Sequence, residues 1–406
     1  MLQATISLYK NAYGGLPRNS WLLAAIMLIN RSGAMVVPFM GVYFMQKLRF
    51  SLQEAGQITT IFGIGSIIGT YLGGWLSDRV GQYYVQVCSL VLSGFGLFGL
   101  MVVETYAQMA VAIFIFSMIA EALRPANSAS VAQYSAPENL TRSYALNRLA
   151  ANLGYAVGPA LGGILAKYDF RYLFIADGIT CLVAGLLLAV WFKPVKSLKK
   201  EEKTQIEVGK SPYKDVSFLI AIALTALCVI TFFQLFTVIP LYFKEECHFS
   251  EQKIGVLLGL NGLMVALFEM LIVYKLGDKI PQMKIISFGV IMLVLAFVAV
   301  LISKNVFILV LAIAFFTFGE IFMFPYMNAF TVSRSSPNNR GKFIGIYASV
   351  FSIAWTFSPW VGTNIAAYFS FSTLWYVMIA VNLLGFVGFK ALEREIRKNV
   401  VDGRTK

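Results

Sequence analysis

Residues 193–214 read KPVKSLKKEEKTQIEVGKSPYK, the only long polar run in a chain that is otherwise a succession of apolar stretches. Of the 406 residues, 58% are hydrophobic and only 13% charged, whereas soluble domains carry about 25% charged residues. The composition is that of a membrane protein, and the question becomes how often the chain crosses. A spanning helix needs roughly 20 mostly apolar residues. Twelve such stretches flank the polar run, six on each side: α1 20–45, α2 55–76, α3 84–103, α4 107–132, α5 142–167, α6 170–192, α7 215–243, α8 252–275, α9 283–303, α10 305–332, α11 341–368 and α12 372–392. A transmembrane barrel would show alternating segments of about ten residues. These runs are continuous, so the expected fold is all-α. Its expected parts are a six-helix bundle over 1–192, a cytoplasmic linker over 193–214 and a second six-helix bundle over 215–406. Residues 1–19 hold Lys10 and Arg18 without a compact apolar region, and α1 carries Arg31 midway. The amino terminus therefore reads as leading into a first span, not as a removed signal peptide.

The two sides of the linker echo each other. Asp78 ends α2 and Asp278 ends α8, two hundred residues apart. Pro125 and Pro325 keep that offset in α4 and α10, as do Pro159 and Pro359, and Gly162 and Gly362, in α5 and α11. FSLQEAG from Phe50 returns as FSEQKIG from Phe249, with Gly56 matched by Gly255. Parallel repeats of this kind place a substrate site at their interface near the bilayer midplane.

The formal charge of +13 is a topology signal. With the amino terminus inside, 23 of the 33 lysines and arginines fall in cytoplasmic segments, seven fall outside, and Arg31, Arg124 and Arg148 lie within spans. The positive-inside rule places both termini in the cytoplasm. The basic faces would meet anionic lipid, and no nucleic-acid partner is expected.

Residues Gly73-Gly74-Trp75-Leu76-Ser77-Asp78-Arg79-Val80-Gly81, between α2 and α3, closely resemble the signature of the major facilitator superfamily, with Gly277-Asp278-Lys279 as a degenerate echo. In α5, Gly154-Tyr155-Ala156-Val157-Gly158-Pro159-Ala160-Leu161-Gly162-Gly163 resembles the motif of the drug/proton antiporter branch. Asn30-Arg31, Arg124-Pro125 and Gly319-Glu320-Ile321-Phe322 look like proton-coupled oligopeptide transporters. Those carry Glu-x-x-Glu-Arg in the first helix, where this chain has Met27 and Asn30. The resemblance implies twelve helices in two pseudo-symmetric bundles, with α1, α4, α7 and α10 lining a central cavity. It also implies a secondary transporter of the inner membrane, exporting amphiphilic or drug-like compounds by proton antiport. The alternative is proton-coupled import of small peptides or related nutrients. A monomer is expected, with small molecules and protons as partners.

Charges inside spans are costly, about 3 kcal/mol each on insertion scales, which makes them the functional candidates. Glu320, Glu121 and Glu269 are the expected proton acceptors. Desolvation raises a carboxylate's pKa and a nearby arginine lowers it. Arg31, Arg124, Arg148, Asn152, Asn127 and Asn328 are candidates for charge pairing and substrate contact. Glu121 and Arg124, three apart, share a helix face, so a permanent pair that fixes helices stays open as an alternative. Asp78 and Arg79, with Gly73, Gly74 and Gly81, form the candidate gating loop. In α5, Gly154, Gly158, Gly162 and Gly163 allow close helix approach, and Pro159 bends the helix. Plain packing is the other reading of that motif. Asp177 lies in α6, a helix that is usually peripheral in this family, and is set aside. Tyr43, Phe232, Phe233 and Tyr326 are aromatic candidates of lower rank.

Cys88, Cys181, Cys228 and Cys247 show no metal-ligand or CxxC spacing, and His248 is the only histidine. Neither a metal site nor a cofactor is expected. The sequence contains no nucleophile triad, Gly-rich phosphate loop or nucleotide-binding domain, which argues against an enzyme and against ATP-driven transport.

Overall fold

The computed structural model describes residues 15–135, 139–194, 211–276, 280–335 and 340–401. Gly277-Asp278-Lys279 and residues 195–210 of the linker lie outside the described residues. All twelve apolar stretches form helices long and apolar enough to cross a membrane, and no strand occurs among the described residues. The cause is the solvent. Each backbone group left unpaired in hydrocarbon costs several kcal/mol, and a helix pairs its own. The spans are α1 Arg18–Gln46, α2 Leu52–Val80, α3 Gln82–Leu100, α4 Tyr106–Gln133, α5 Arg142–Tyr168, α6 Arg171–Trp191, α7 Val216–Thr237, α8 Glu251–Val273, α9 Gln282–Ile302, α10 Val306–Ser333, α11 Lys342–Tyr368 and α12 Phe371–Lys398. The helix of α12 continues to Val401, beyond its apolar stretch. Near the end of the apolar stretch, Lys390 and Glu393 pair at 2.8 Å, one turn apart.

Three spans are interrupted, and in each a proline lies just beyond a break. In α1 the helix stops at Gly33 and restarts as Val36–Gln46; Pro38 has no N–H for the carbonyl of Ala34. In α4, Tyr106–Glu121 and Leu123–Gln133 meet at Ala122; Pro125 deprives Glu121 of a partner in the same way. In α7, Val216–Phe232 gives way to Gln234–Thr237 and then to Ile239–Glu245, whose first turn holds Pro240. Pro159, Pro325 and Pro359 instead sit inside unbroken helices.

The repeated segment builds the same turn twice. Arg49 and His248 adopt positive φ, 62° and 51°. Phe50 and Phe249 then donate their N–H back to Phe44 and Phe243 at 3.0 and 2.9 Å, and each pair of rings packs together. Ser51 opens α2 in a reciprocal cap with Glu54: the Glu54 N–H donates to the Ser51 hydroxyl at 3.2 Å, and Glu54 Oε2 accepts from the Ser51 N–H at 2.8 Å. Ser250 opens α8 with half of that device, accepting from the Lys253 N–H at 3.4 Å.

The described residues fall into two compact units. One is drawn from Met1–Tyr43, Ile64–Lys199 and Ser250–Leu263, the other from Phe44–Gly63, Lys200–Phe249 and Met264–Lys406. The start of α8 thus packs with the first half of the chain, and the start of α2 with the second. In the first unit a core of Leu23, Ile26, Leu90, Leu123, Val131, Ala184, Leu188 and Phe192 joins α1, α3, α4 and α6.

Candidate functional site

The interruption of α1 gathers polar side chains from α1, α5 and α6. Arg31, half-buried, donates from Nη1 to the Tyr155 hydroxyl of α5 at 3.0 Å and lies 5.4 Å from the centre of that ring. The glycines of α5 make this approach possible. A Cβ at Gly154 would come within 2.5 Å of Arg31 Cβ. At Gly158 it would meet the carbonyl oxygens of Arg31, Ala34 and Ser32 at 3.1–3.4 Å, and at Gly162 it would touch Met35 Cβ at 3.0 Å. Three motif glycines therefore bed α5 onto the interruption, including carbonyls that a continuous helix would have paired internally.

Side chains of α6 reach the same interruption. Asp177, 6% exposed, accepts the N–H groups of Met35 and Val36 on one oxygen, each at 3.3 Å. These are orphan donors at the start of a helix segment, which a carboxylate satisfies well. Asn30 Nδ2 donates to Cys181 Sγ at 3.4 Å, one turn along α6 from Asp177. Sequence reasoning set Asp177 aside. The signal that would have kept it is its charge within a span, together with Cys181 four residues on, on the same face.

In α4, Glu121 Oε2 lies 2.8 Å from Arg124 Nη2, and the approach is off the hydrogen-bond direction. The pair straddles the Ala122 interruption, against which Gly73 of α2 packs: a Cβ on Gly73 would come 2.5 Å from Ala122 Cα. The Glu121 side chain is 12% exposed and the Arg124 side chain 58%. Glu121 and Asp177 both act electrostatically on Arg31. A carboxylate, two guanidiniums and a second carboxylate are thus gathered in one unit, on α1, α4 and α6.

The remaining candidates are more scattered. Arg148 is exposed, Asn152 half-buried and Asn127 buried, all in the first unit. Glu320 on α10 and Glu269 on α8, both half-buried, belong to the second unit, where Asn328 is exposed. Asp78 and Arg79 are exposed, and Arg79 lies 4.0 Å over the Trp75 ring. Gly74 has only Pro125 nearby, and Gly81 holds φ 96° at the turn into α3. Of the aromatic candidates, Tyr43 packs on Phe170 and Phe174. Phe232 and Phe233 belong to a larger cluster with Phe236, Phe324, Phe351 and Trp355. Tyr326 is buried, and its hydroxyl lacks a hydrogen-bond partner. Among the described residues no group of three or more His, Cys, Asp or Glu could hold a metal.

The motif helix has a second working face. A Cβ on Gly163 would fall on the carbonyl of Glu251, one on Gly255 of α8 on the carbonyl of Pro159, and one on Gly259 within 2.5 Å of the carbonyl of Ala156. The second unit has the counterpart, with Gly56 and Gly63 of α2 against Thr363 and Thr356 of α11.

Twelve spans, with charges gathered at the interruptions of α1 and α4, are the architecture of a polytopic membrane protein. The chain belongs to the Major Facilitator Superfamily, whose family model matches residues 21–335 and 243–405. It is 26% identical over 400 residues to a Na(+), Li(+), K(+)/H(+) antiporter of Planococcus maritimus, covering 90% of this chain and 93% of that protein. It is 23% identical to Multidrug resistance protein 2 of Bacillus subtilis, covering 84% of this chain and 86% of that one. Among solved structures it resembles a POT family transporter in complex with 5-aminolevulinic acid, with a TM-score of 0.78, 15% identity, and coverage of 94% and 98% of the two chains. At that identity the likeness is one of fold.

Proposed function

We propose that this transporter exports amphiphilic, drug-like small molecules in exchange for protons, by alternating access. The observation that carries the reading is the two-faced packing of α5. One row of motif glycines lies on the charged interruption of α1 and the other on the backbone of α8. A change in charge at the interruption can reach α8 through one rigid element, which is what coupling requires. The antiporter-like sequence of α5 and the name of the Planococcus relative support antiport, and the name of the Bacillus relative supports drug-like substrates. The aromatic cluster around Phe232, Phe233, Phe324 and Trp355 supplies a wall suited to an amphiphile. In this reading Glu320, Glu121 and Glu269 accept protons, Arg31 and Arg124 balance them, and Arg148, Asn152, Asn127 and Asn328 are secondary polar contacts. In this reading the chain acts as a monomer in the cell membrane, and the basic linker supports a topology with both termini in the cytoplasm.

The test is lumenal pH in proteoliposomes at clamped membrane potential. Lipophilic cations, sodium and dipeptides are added outside in turn. Antiport of a lipophilic cation alkalinises the lumen, because protons leave as it enters. Alkalinisation by sodium alone would move the substrate class to the alkali cations of the Planococcus relative. Acidification by dipeptides would overturn antiport in favour of peptide symport. Glu320→Gln is expected to abolish gradient-driven accumulation while substrate exchange persists; full accumulation would remove Glu320 from the coupling path.

A further inference from the structure

The interruption of α1 is seated on α6 through three side chains. Gly33 leaves room for Thr180, since a Cβ there would fall on the Thr180 hydroxyl. Asn30 donates to Cys181, and Asp177 takes both N–H groups that open the second segment of α1. The two oxygens of Asp177 differ. Oδ2 carries both backbone bonds, while Oδ1 has only the weak thiol donor of Cys181 at 3.8 Å. A proton arriving at this carboxylate has a ready place on Oδ1. The bonds it weakens are those on Oδ2, because a charge-assisted hydrogen bond is roughly twice as strong as a neutral one.

We propose that Asp177 is a proton-responsive clamp on the first helix. Ionised, it holds the N–H groups of Met35 and Val36 and fixes the interruption against α6; protonated, it loosens that hold and lets the two segments of α1 change their angle. Asp177 is thus a positioning residue, acting on Arg31 and on the α5 seam through the backbone of α1. The groups that face it are few. Arg31 approaches from α1 and Cys181 from its own helix. Arg31 is in turn influenced by Tyr155 of α5 and Glu121 of α4. From α3 the neighbours of Gly178, the next residue, are Gly94 and Phe98, neither of which titrates. The proposal stands whether or not transport proves to be proton-coupled, because it concerns a backbone contact that can be watched directly.

The experiment is amide hydrogen exchange of the full-length protein in nanodiscs, followed at Met35 and Val36 and corrected for intrinsic exchange. In the unmodified protein, protection of these two amides is expected to fall about tenfold as pH is lowered from about 9 to about 5, the range open to a buried carboxylate. Asp177→Asn, which keeps an acceptor oxygen but cannot ionise, should abolish the step. Asp177→Glu should retain it at a shifted midpoint. Constant protection across the range in the unmodified protein would overturn the proposal without any variant. A step that persists in Asp177→Asn would overturn it too, by assigning the titration to another group.

Discussion

Both halves of the molecule begin with an interrupted helix, and the two interruptions are secured by opposite chemistry. In α1 the partners are ionisable: Asp177 on the backbone and Arg31 on Tyr155. In α7, two hundred residues later, Thr231 stands at the position of Arg31. Its hydroxyl donates to Asn382 of α12 at 3.1 Å, Gln234 donates to the carbonyl of Ser358 at 3.0 Å, and Ser358 donates to the carbonyl of Ile230 at 3.0 Å. Every member of that set is neutral. At the starts of the same helices the assignment is reversed. Asp215 at the head of α7 is held by Arg334 of α10 through two 2.7 Å bonds. Among the described residues, the partners of the Ser20 hydroxyl near the head of α1 are serine hydroxyls, Ser143 at 3.0 Å and Ser135 at 3.4 Å. The fold thus needs each interruption pinned and each start tied, but leaves open whether charge does it. Charge at the interruption makes the break of α1, unlike that of α7, able to respond to protons.

Substitution at the α5 and α11 glycines tests this difference most severely. A side chain at Gly154 meets the backbone of Arg31 and Ser32, which cannot move aside, whereas the nearest atoms to one at Gly362 are the end of the Gln234 side chain and a Val238 methyl. Gly154→Leu is expected to reduce transport by more than tenfold at equal membrane level, since overpacking costs typically 1–3 kcal/mol or more. Gly362→Ala should retain most activity, and equal losses in both would break the contrast. Next in size is Arg334→Ala. It leaves Asp215, whose side chain is 9% exposed, without its cation and should lower stability by about 1–3 kcal/mol in thermal unfolding. The pH profile of transport should not move; a shift would show that the Asp215–Arg334 pair itself takes part in the response to protons. The smallest effect belongs to Thr231→Val. Hydrogen bonds between membrane helices average about 0.6 kcal/mol, so a slight loss of stability and an unchanged pH profile are expected. A changed profile in this variant would show that neutrality at α7 does not insulate it from protons.

The twelve spans were legible because some twenty consecutive apolar residues permit little else in hydrocarbon. The interruptions were not. Pro38, Pro125 and Pro240 each mark one, yet Pro159, Pro325 and Pro359 lie in continuous helices, so proline alone does not decide. Neighbouring side chains that satisfy the freed groups do, and Asp177 is one of them. The Glu121–Arg124 contact could be anticipated from a spacing of three. The Arg31–Tyr155 bond joins residues 124 apart and has no local signature. The expectation that Asp278 repeats Asp78 falls outside the described residues. The repeat of Phe50–Gly56 at Phe249–Gly255 was legible as letters; its content, a positive-φ residue followed by a serine cap, emerged only in the backbone.

The order of synthesis gives the division into units a further consequence. The glycine face of α5 is translated well before its partner, residues 251–259 of α8, and the first unit closes only when those residues arrive. Until then the nascent bundle stands with that glycine face of α5 unmatched. An amino-terminal half expressed alone would remain in that state, and adding the other half as a separate polypeptide should rescue it.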